Sequence, residues 1–568
     1  MSAHRTALVM LVSGALGALP ALASASLGLA GCTHPAAVPL APLPRAGYAH
    51  YLSGRLSAYE GDWDAAADAL ARAAAAAPDQ PMVAVELARA QMKARRTAAA
   101  VATLARARLS WPDHPQVWLA SGDLLAAGDP AEASRAYLRA IQLSPDDERA
   151  YLGLAKLQSP DAAEATLRIL IAHVPASIEG HYRLAVRLAV RGELAAASRE
   201  LRAVLERDPD HIDARLDLAR ALRRQGHLDQ AIVETRSAFD RSGQALDIAE
   251  ELFDLLCEAD DRAAAIDLLT LLDDDHSDVE ALAVIARLER GMGRIAEARA
   301  IAGRISAIDR DAGAIALAEI QIATGERAAV EATLAVVEAD GKRAAEARRL
   351  TALAALDAGD PARALAVLTA RGAPDALDSA LVAAFALADL GRQREARAML
   401  APFGGTRDDR DLALLARARL ADRAGDAGGA LAILEPLIRN RPDLVPALNL
   451  TGFLLADAGR RLTDAERYLR HARELAPGDP AVLDSWGWLL LRRGDARGAV
   501  RALDRAARFA PLEPEILVHL AAAWAADGAP RTAVRTLDRA AGLAPTRAVQ
   551  RRIAAMRKTL PAGDTMPR

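Results

Sequence analysis

Asp464-Ala465-Glu466-Arg467-Tyr468-Leu469-Arg470-His471-Ala472-Arg473-Glu474-Leu475-Ala476-Pro477 is a phrase that this chain repeats. Its Ala465, Leu469, Ala472 and Pro477 return 34 residues later as Ala499, Leu503, Ala506 and Pro511, and again as Ala533, Leu537, Ala540 and Pro545. The spacing of alanine, leucine and alanine puts all three on one face of a helix. The proline cannot continue that helix and can begin the next. The start of the chain carries the same phrase as Ala66, Leu70, Ala73 and Pro78, then Ala100, Leu104, Ala107 and Pro112.

The anchor alanine can be followed outward through Ala66, Ala100, Ala133, Ala163, Ala197, Ala231, Ala265, Ala298, Val330, Ala364, Ala396, Ala430, Ala465, Ala499 and Ala533, in steps of 30 to 35 residues. These anchors number the repeats below from 1 to 15. Ahead of several anchors stands a glycine that can adopt positive φ and end the preceding helix, as at Gly61, Gly192, Gly226, Gly391, Gly494 and Gly528. A period of this length with two helices per repeat predicts a solenoid, in which each unit buries its apolar face against its neighbours. About fifteen helix pairs leave no room for a further domain. The middle, about 246–410, has lost most repeat prolines, so its boundaries are soft.

Composition agrees. The chain has 568 residues, 52% of them apolar but only 3% aromatic, so alanine and leucine carry the hydrophobicity. Such residues favour helices, and the β-branched and aromatic residues that fill sheets are sparse. The formal net charge is −4, with acids and bases interspersed. The absence of a long basic stripe argues against a nucleic-acid partner. The short run Asp273-Asp274-Asp275 reads as a solvated turn. Cys257, in an apolar helical segment, reads as a buried structural thiol.

Residues 1–31 read as an address. Arg5 opens an uncharged stretch from Ala7 to Gly31, and no charge recurs until Arg45. A signal peptide fits, and a transmembrane anchor competes because the stretch could span a bilayer. Leu29-Ala30-Gly31-Cys32 favours the first. It resembles a bacterial lipobox, which implies acylation of Cys32, and Thr33 after it implies outer-membrane sorting by the same resemblance. Residues 32–46 hold Pro35, Pro39, Pro42 and Pro44, and predict an extended tether reaching ~40 Å at ~3.1 Å per residue.

The repeat resembles the tetratricopeptide repeat family over about residues 47–545. The resemblance implies an all-α fold, a right-handed superhelix whose first helices (A) line a concave groove for protein partners. Gly54, Gly122, Gly452 and Gly487 match the small residue of helix A. Residues 546–568 are expected to form a capping helix, from Arg547 to Lys558, and a frayed tail. The groove candidates are Tyr51 and Arg55 in repeat 1, Val85 and Arg89 in repeat 2, and Leu216 and Arg220 in repeat 6. In repeats 13 and 14 they are Asn449 and Phe453, then Asp484 and Trp488. Some members of the family clamp a C-terminal carboxylate with Asn and Lys at such positions; only Asn449 matches here. Trp486 and Trp488 cannot both face one core, so Trp486 is expected between helices and Trp488 in the groove.

The stretches Ala447-Leu448-Asn449-Leu450-Thr451-Gly452-Phe453, Asp484-Ser485-Trp486-Gly487-Trp488 and Pro514-Glu515-Ile516-Leu517-Val518-His519-Leu520 resemble large proteobacterial repeat proteins. Among these are outer-membrane lipoproteins that act as adaptor for a periplasmic carboxy-terminal processing protease and present cell-wall hydrolases to it. The resemblance implies a non-enzymatic scaffold with a protease and its substrates as partners. A pilotin-like assembly factor for a pilus or secretion channel is the alternative. An enzyme hidden in the degenerate middle is the reading from another class. Against it, the eleven histidines are scattered, and no Cys-x-x-Cys, phosphate loop or nucleophile elbow occurs. No cofactor or metal is expected.

Overall fold

Each anchor residue predicted from the repeat, including Val330, is fully buried. In the computed structural model, which describes residues 43–560, thirty-one helices and no strand occur among the described residues. Two compact units divide the chain, one ending at Glu234 and one beginning at Thr235. In both, helix A and helix B of a repeat pack against each other and against the next helix A. Cys32 and the rest of the leader and lipobox lie outside the described residues. The first helix, Arg45–Tyr59, starts within the segment expected to be tether.

The glycine turns follow from backbone sterics. Gly61, Gly494 and Gly528 take φ of 82°, 88° and 83°, where a side chain would be strained. The aspartate after the glycine then caps helix B. Asp62 Oδ1 accepts from Ala65 N at 2.9 Å, and Asp495 Oδ1 accepts from Gly498 N at 2.8 Å. The glycine inside helix A serves contact instead. A Cβ on Gly487 would lie 2.5 Å from Leu503 Cγ, and one on Gly452 would lie 2.4 Å from Leu469 Cγ. The repeat leucine therefore packs directly onto backbone. In repeat 3 a tyrosine takes the leucine's place. Tyr137 fits because glycines face it from two sides, Gly122 and Gly153, and its hydroxyl donates to Asp123 at 2.8 Å.

The degenerate middle has a structural counterpart. Helix B of repeat 14, Ala496–Phe509, has 14 residues, whereas those of repeats 9, 10 and 11 have 8, 9 and 7 (Arg327–Leu334, Pro361–Thr369, Gln393–Met399). A helix that ends early has no use for a proline at the old stop. The Asp273-Asp274-Asp275 run is the last turn of the helix Arg262–Asp275 rather than a loop, and Arg304 bonds Asp273. Cys257 is buried, and burial pushes its thiol up to about 12. Glu289 is 2% exposed, and burial pushes its carboxyl up to about 7 although Arg294 Nε stands 2.8 Å away.

Within the second unit, repeats distant in sequence meet. Arg505 in helix B of repeat 14 donates to the carbonyl oxygens of Cys257, at 3.2 Å, and Glu258, where helix A of repeat 7 ends. Arg508 pairs with Asp260 at 2.8 Å. In return Arg262 donates to the Arg508 carbonyl, and Arg327 to that of Ala544. Guanidinium groups thus satisfy carbonyls at helix ends, where the helix dipole is negative. This seam joins repeat 7 to repeat 14. No helix among the described residues is long and apolar enough to cross a membrane.

Candidate groove sites in the two units

Helices A of repeats 13, 14 and 15 are Val445–Asp457, Pro480–Arg492 and Pro514–Ala526. They bring Asn449, Phe453, Asp484 and His519 to one cavity of about 520 Å³. Asp484 accepts from His519 Nδ1 with both oxygens, at 2.8 and 3.0 Å. Arg552, on the capping helix Arg547–Thr559, stands with Nη2 2.7 Å from His519 Nε2. A guanidinium only donates, so Nε2 accepts and the proton sits on Nδ1. The Phe453 ring lies 6.0 Å from the imidazole. Asn449 Nδ2 donates weakly to the Ala481 carbonyl at 3.4 Å, while its buried Oδ1 meets no donor among the described residues.

Trp488 lies beside this cavity rather than open in it. Its ring stacks on His519 with centroids 4.4 Å apart, and its Nε1 donates to Asp457 at 3.1 Å. Trp486 packs among Leu455, Ala465 and Leu489, with the Arg473 guanidinium 4.4 Å over its ring. Both tryptophans are half-buried, so the expectation of a free Trp488 in the groove is corrected: its ring is engaged by protein on one face. His519 and its partner Arg552 were missed by the sequence reading. The signal for His519 was present, because it falls on helix A one repeat beyond Asp484.

Carboxylates surround the same cavity. Asp479, Asp484, Glu513 and Glu515 line it, with Arg419 as the arginine among them. Asp479 is spent on the cap of its helix, where it accepts from Ala481 N at 2.8 Å. Glu513 lines the cavity and is exposed to solvent. Partial desolvation, then the charge of Glu515, holds its carboxyl above the usual carboxylate range against the opposing pull of Arg290. Asp422, on helix A of repeat 12, is raised by burial and then by Asp457 and Glu515.

The first unit holds its own cavity, of about 510 Å³, between the helices A of its first repeats. Arg55 and Arg89 line it, as do Tyr59, Trp63 and Met92. Arg89 pairs with Glu86 at 2.8 Å and Arg55 approaches Glu86 at 4.0 Å. Tyr51 supports the site from behind, its hydroxyl accepting from Arg55 at 3.2 Å. Arg220 is not among the lining residues and bonds Asp217 at 3.2 Å on its own helix. Val85 and Leu216 are corrected: both are buried in packing between helices. Among the described residues, no group of three or more His, Cys, Asp or Glu could hold a metal ion.

The paired helices, the anchor at each turn and the concave cavities define a helical-repeat protein of the interaction-scaffold class. Family models described as tetratricopeptide repeat match residues 58–122 and 188–236 in one form and 485–548 in another. The chain carries tetratricopeptide repeats in those segments, and such repeats serve as scaffolds that bind proteins or peptides. The chain is 39% identical over 94 residues to the TPR repeat-containing protein PA4667 of Pseudomonas aeruginosa, a match spanning 16% of this chain and 16% of that protein. Among solved structures, the anaphase-promoting-complex hetero-tetramer Cut9–Hcn1 matches 90% of this chain and 96% of its own at 13% identity and a TM-score of 0.30. YrrB, titled a TPR protein with an unusual peptide-binding site, matches 33% and 98% at 17% identity and 0.27. PilW, a type IV pilus biogenesis factor, matches 34% and 93% at 18% identity and 0.28.

Proposed function

We propose that this chain is a non-enzymatic adaptor, tethered through a lipid on Cys32 to the periplasmic face of an outer membrane, that holds protein partners in its grooves. The observation that carries the groove reading is the convergence of Asn449, Phe453 and Asp484 on one cavity lined by consecutive helices A. The anchoring rests on the sequence Leu29-Ala30-Gly31-Cys32 after an uncharged stretch. A second cavity in the first unit, at Arg55 and Arg89, provides a separate surface. Two surfaces suit a protein that presents cell-wall hydrolases to a processing protease.

Crosslinking and pull-down from solubilised envelopes test the groove. Capture of a protease with a hydrolase, lost on Phe453→Ala, is the expected result. Capture of pilus or secretion-channel components instead would favour an assembly factor. Labelling with a clickable fatty acid tests the anchor: wild type should label, and Cys32→Ser should not. Equal labelling of the two would refute acylation.

A further inference from the structure

The polar groups left unsatisfied around the cavity of repeats 13–15 are mostly acceptors. Asp484 is committed to His519, and Asp479 to its helix cap. Glu515 has only Arg552 at 3.7 Å, a pair in which both side chains are more than two-fifths exposed. Glu513 has no ion pair or side-chain hydrogen bond among the described residues. The buried Oδ1 of Asn449 is a further acceptor without a donor. Beside these acceptors the floor is apolar, formed by Leu450, Phe453 and Ile516.

We infer that this groove takes a basic peptide segment, one presenting a Lys or Arg side chain to Glu513 and Glu515 while its aliphatic stem lies on Phe453 and Ile516. The inference rests on the groove reading above and names the chemistry of its occupant. A long basic side chain matches both parts of the wall, because its stem is apolar and its head is a cluster of donors. Charge makes the match selective. Glu513 and Glu515 crowd like charges on one wall, and an incoming cation relieves that repulsion. An aromatic ring under the cation adds to the attraction. A C-terminal carboxylate, the ligand that Asn449 could have suggested, would meet four acids against Arg419 on this wall. The charge pattern therefore argues against a carboxylate clamp, as does the single match at Asn449.

The test uses the detergent-solubilised full chain and three fluorescent peptides of equal length: alternating Ala-Arg, alternating Ala-Glu and alternating Ala-Gln. Anisotropy titrations at physiological salt should show the Ala-Arg peptide binding most tightly. Glu513→Gln with Glu515→Gln should weaken it by about tenfold or more, since a charge-assisted bond carries at least that. Both changes are isosteric and relieve repulsion, so the melting temperature should not fall. Asp113→Asn, an exposed acid in the first unit, should leave binding unchanged and so excludes a net-charge effect. Equal binding of Ala-Arg by wild type and the double glutamine variant would overturn the inference. So would tighter binding of Ala-Glu. If Ala-Gln or Ala-Glu binds in a manner lost on Phe453→Ala while Ala-Arg does not bind, the groove reading stands and the charge inference fails. If none binds, both fail.

Discussion

The Trp488 indole lies stacked on the His519 imidazole, 4.4 Å between centroids and 29° between planes. One repeat thereby holds the ring that carries the hydrogen bonds of the next. Trp488→Ala should remove the stack and the bond to Asp457 together. The ring is half-buried, so the loss should fall below that of a core tryptophan, at about 2–3 kcal/mol. Thermal melting measures it. An unchanged melting temperature would mean that the stack contributes nothing to the fold.

Asp484→Ala tests the other side of the imidazole. His519 is 2% exposed, and its Nδ1–H would lose its acceptor inside the protein. A buried donor left unpaired costs about 1–3 kcal/mol. Adding His519→Leu to Asp484→Ala should restore part of the stability, because it removes the orphaned group. A double variant less stable than the single by the full leucine-for-histidine cost would argue that the bond is unimportant.

Gly487→Ala should destabilise by about 1–3 kcal/mol, because the new methyl would enter the space of Leu503 at 2.5 Å. Gly494→Ala makes a useful contrast. It meets no atom within 4 Å, but its φ of 88° strains any side chain. Pairing each with Leu503→Val separates contact from backbone. Leu503→Val should rescue Gly487→Ala alone.

Glu289 couples stability to pH. Its folded value, about 7, lies above the ordinary 4.5 because burial disfavours the charge. Between these values the folded chain binds more protons than the unfolded one. This contribution is therefore whole below pH 4.5 and is lost as pH rises through 7. Allowing for screening, it amounts to about 1–2 kcal/mol. Glu289→Gln should raise the melting temperature more at pH 8 than at pH 5. Denaturant titrations at the two pH values check this, and equal gains would reject it.

The seam makes a prediction of its own. Removing Arg505 and Arg508 by alanine substitution should leave helicity unchanged, since alanine is a good helix former and the one pair lost within the helix, Arg508 with Asp504 at 3.5 Å, is exposed. The second unit should nevertheless loosen, and small-angle scattering should report a larger radius of gyration. An identical scattering curve would show that the remaining contacts, among them Arg262 on the Arg508 carbonyl and Pro511 against Gly293 of repeat 8, suffice to hold the seam.

What was legible in the sequence follows the physics of repetition. Ala465, Leu469 and Pro477 each answer to local sterics, so their spacing alone places helix B and its stop. Val330 could be recognised as an anchor despite its different side chain because the period located it. The shortened helices Arg327–Leu334 and Gln393–Met399 could not be foreseen, since loss of a proline marks only that a stop has moved. Site residues divide in the same way. Asn449, Phe453 and Asp484 stand at repeat positions, and the period brings them to the wall of one cavity. Arg552 reaches His519 from the capping helix, which follows no repeat, and Asp357, which adds to the rise of the Glu513 carboxyl after burial and Glu515, stands in repeat 10, three repeats before the cavity's first wall in repeat 13. Contacts made by the closing of a superhelical turn leave no local period to read.

The pair Arg508–Asp260 also has a mechanical meaning. A solenoid whose turns touch only through consecutive repeats extends like a spring, yielding a little at every interface. A turn clipped to the one before it behaves differently. Tension applied along the second unit must first load the arginines at the seam, so the unit stays stiff until those bonds give. Only then can the repeat interfaces open in series. Pulled between its ends, the second unit should lengthen in two regimes, a short rigid one and a long compliant one, with Arg505 and Arg508 setting the force at which the first passes into the second.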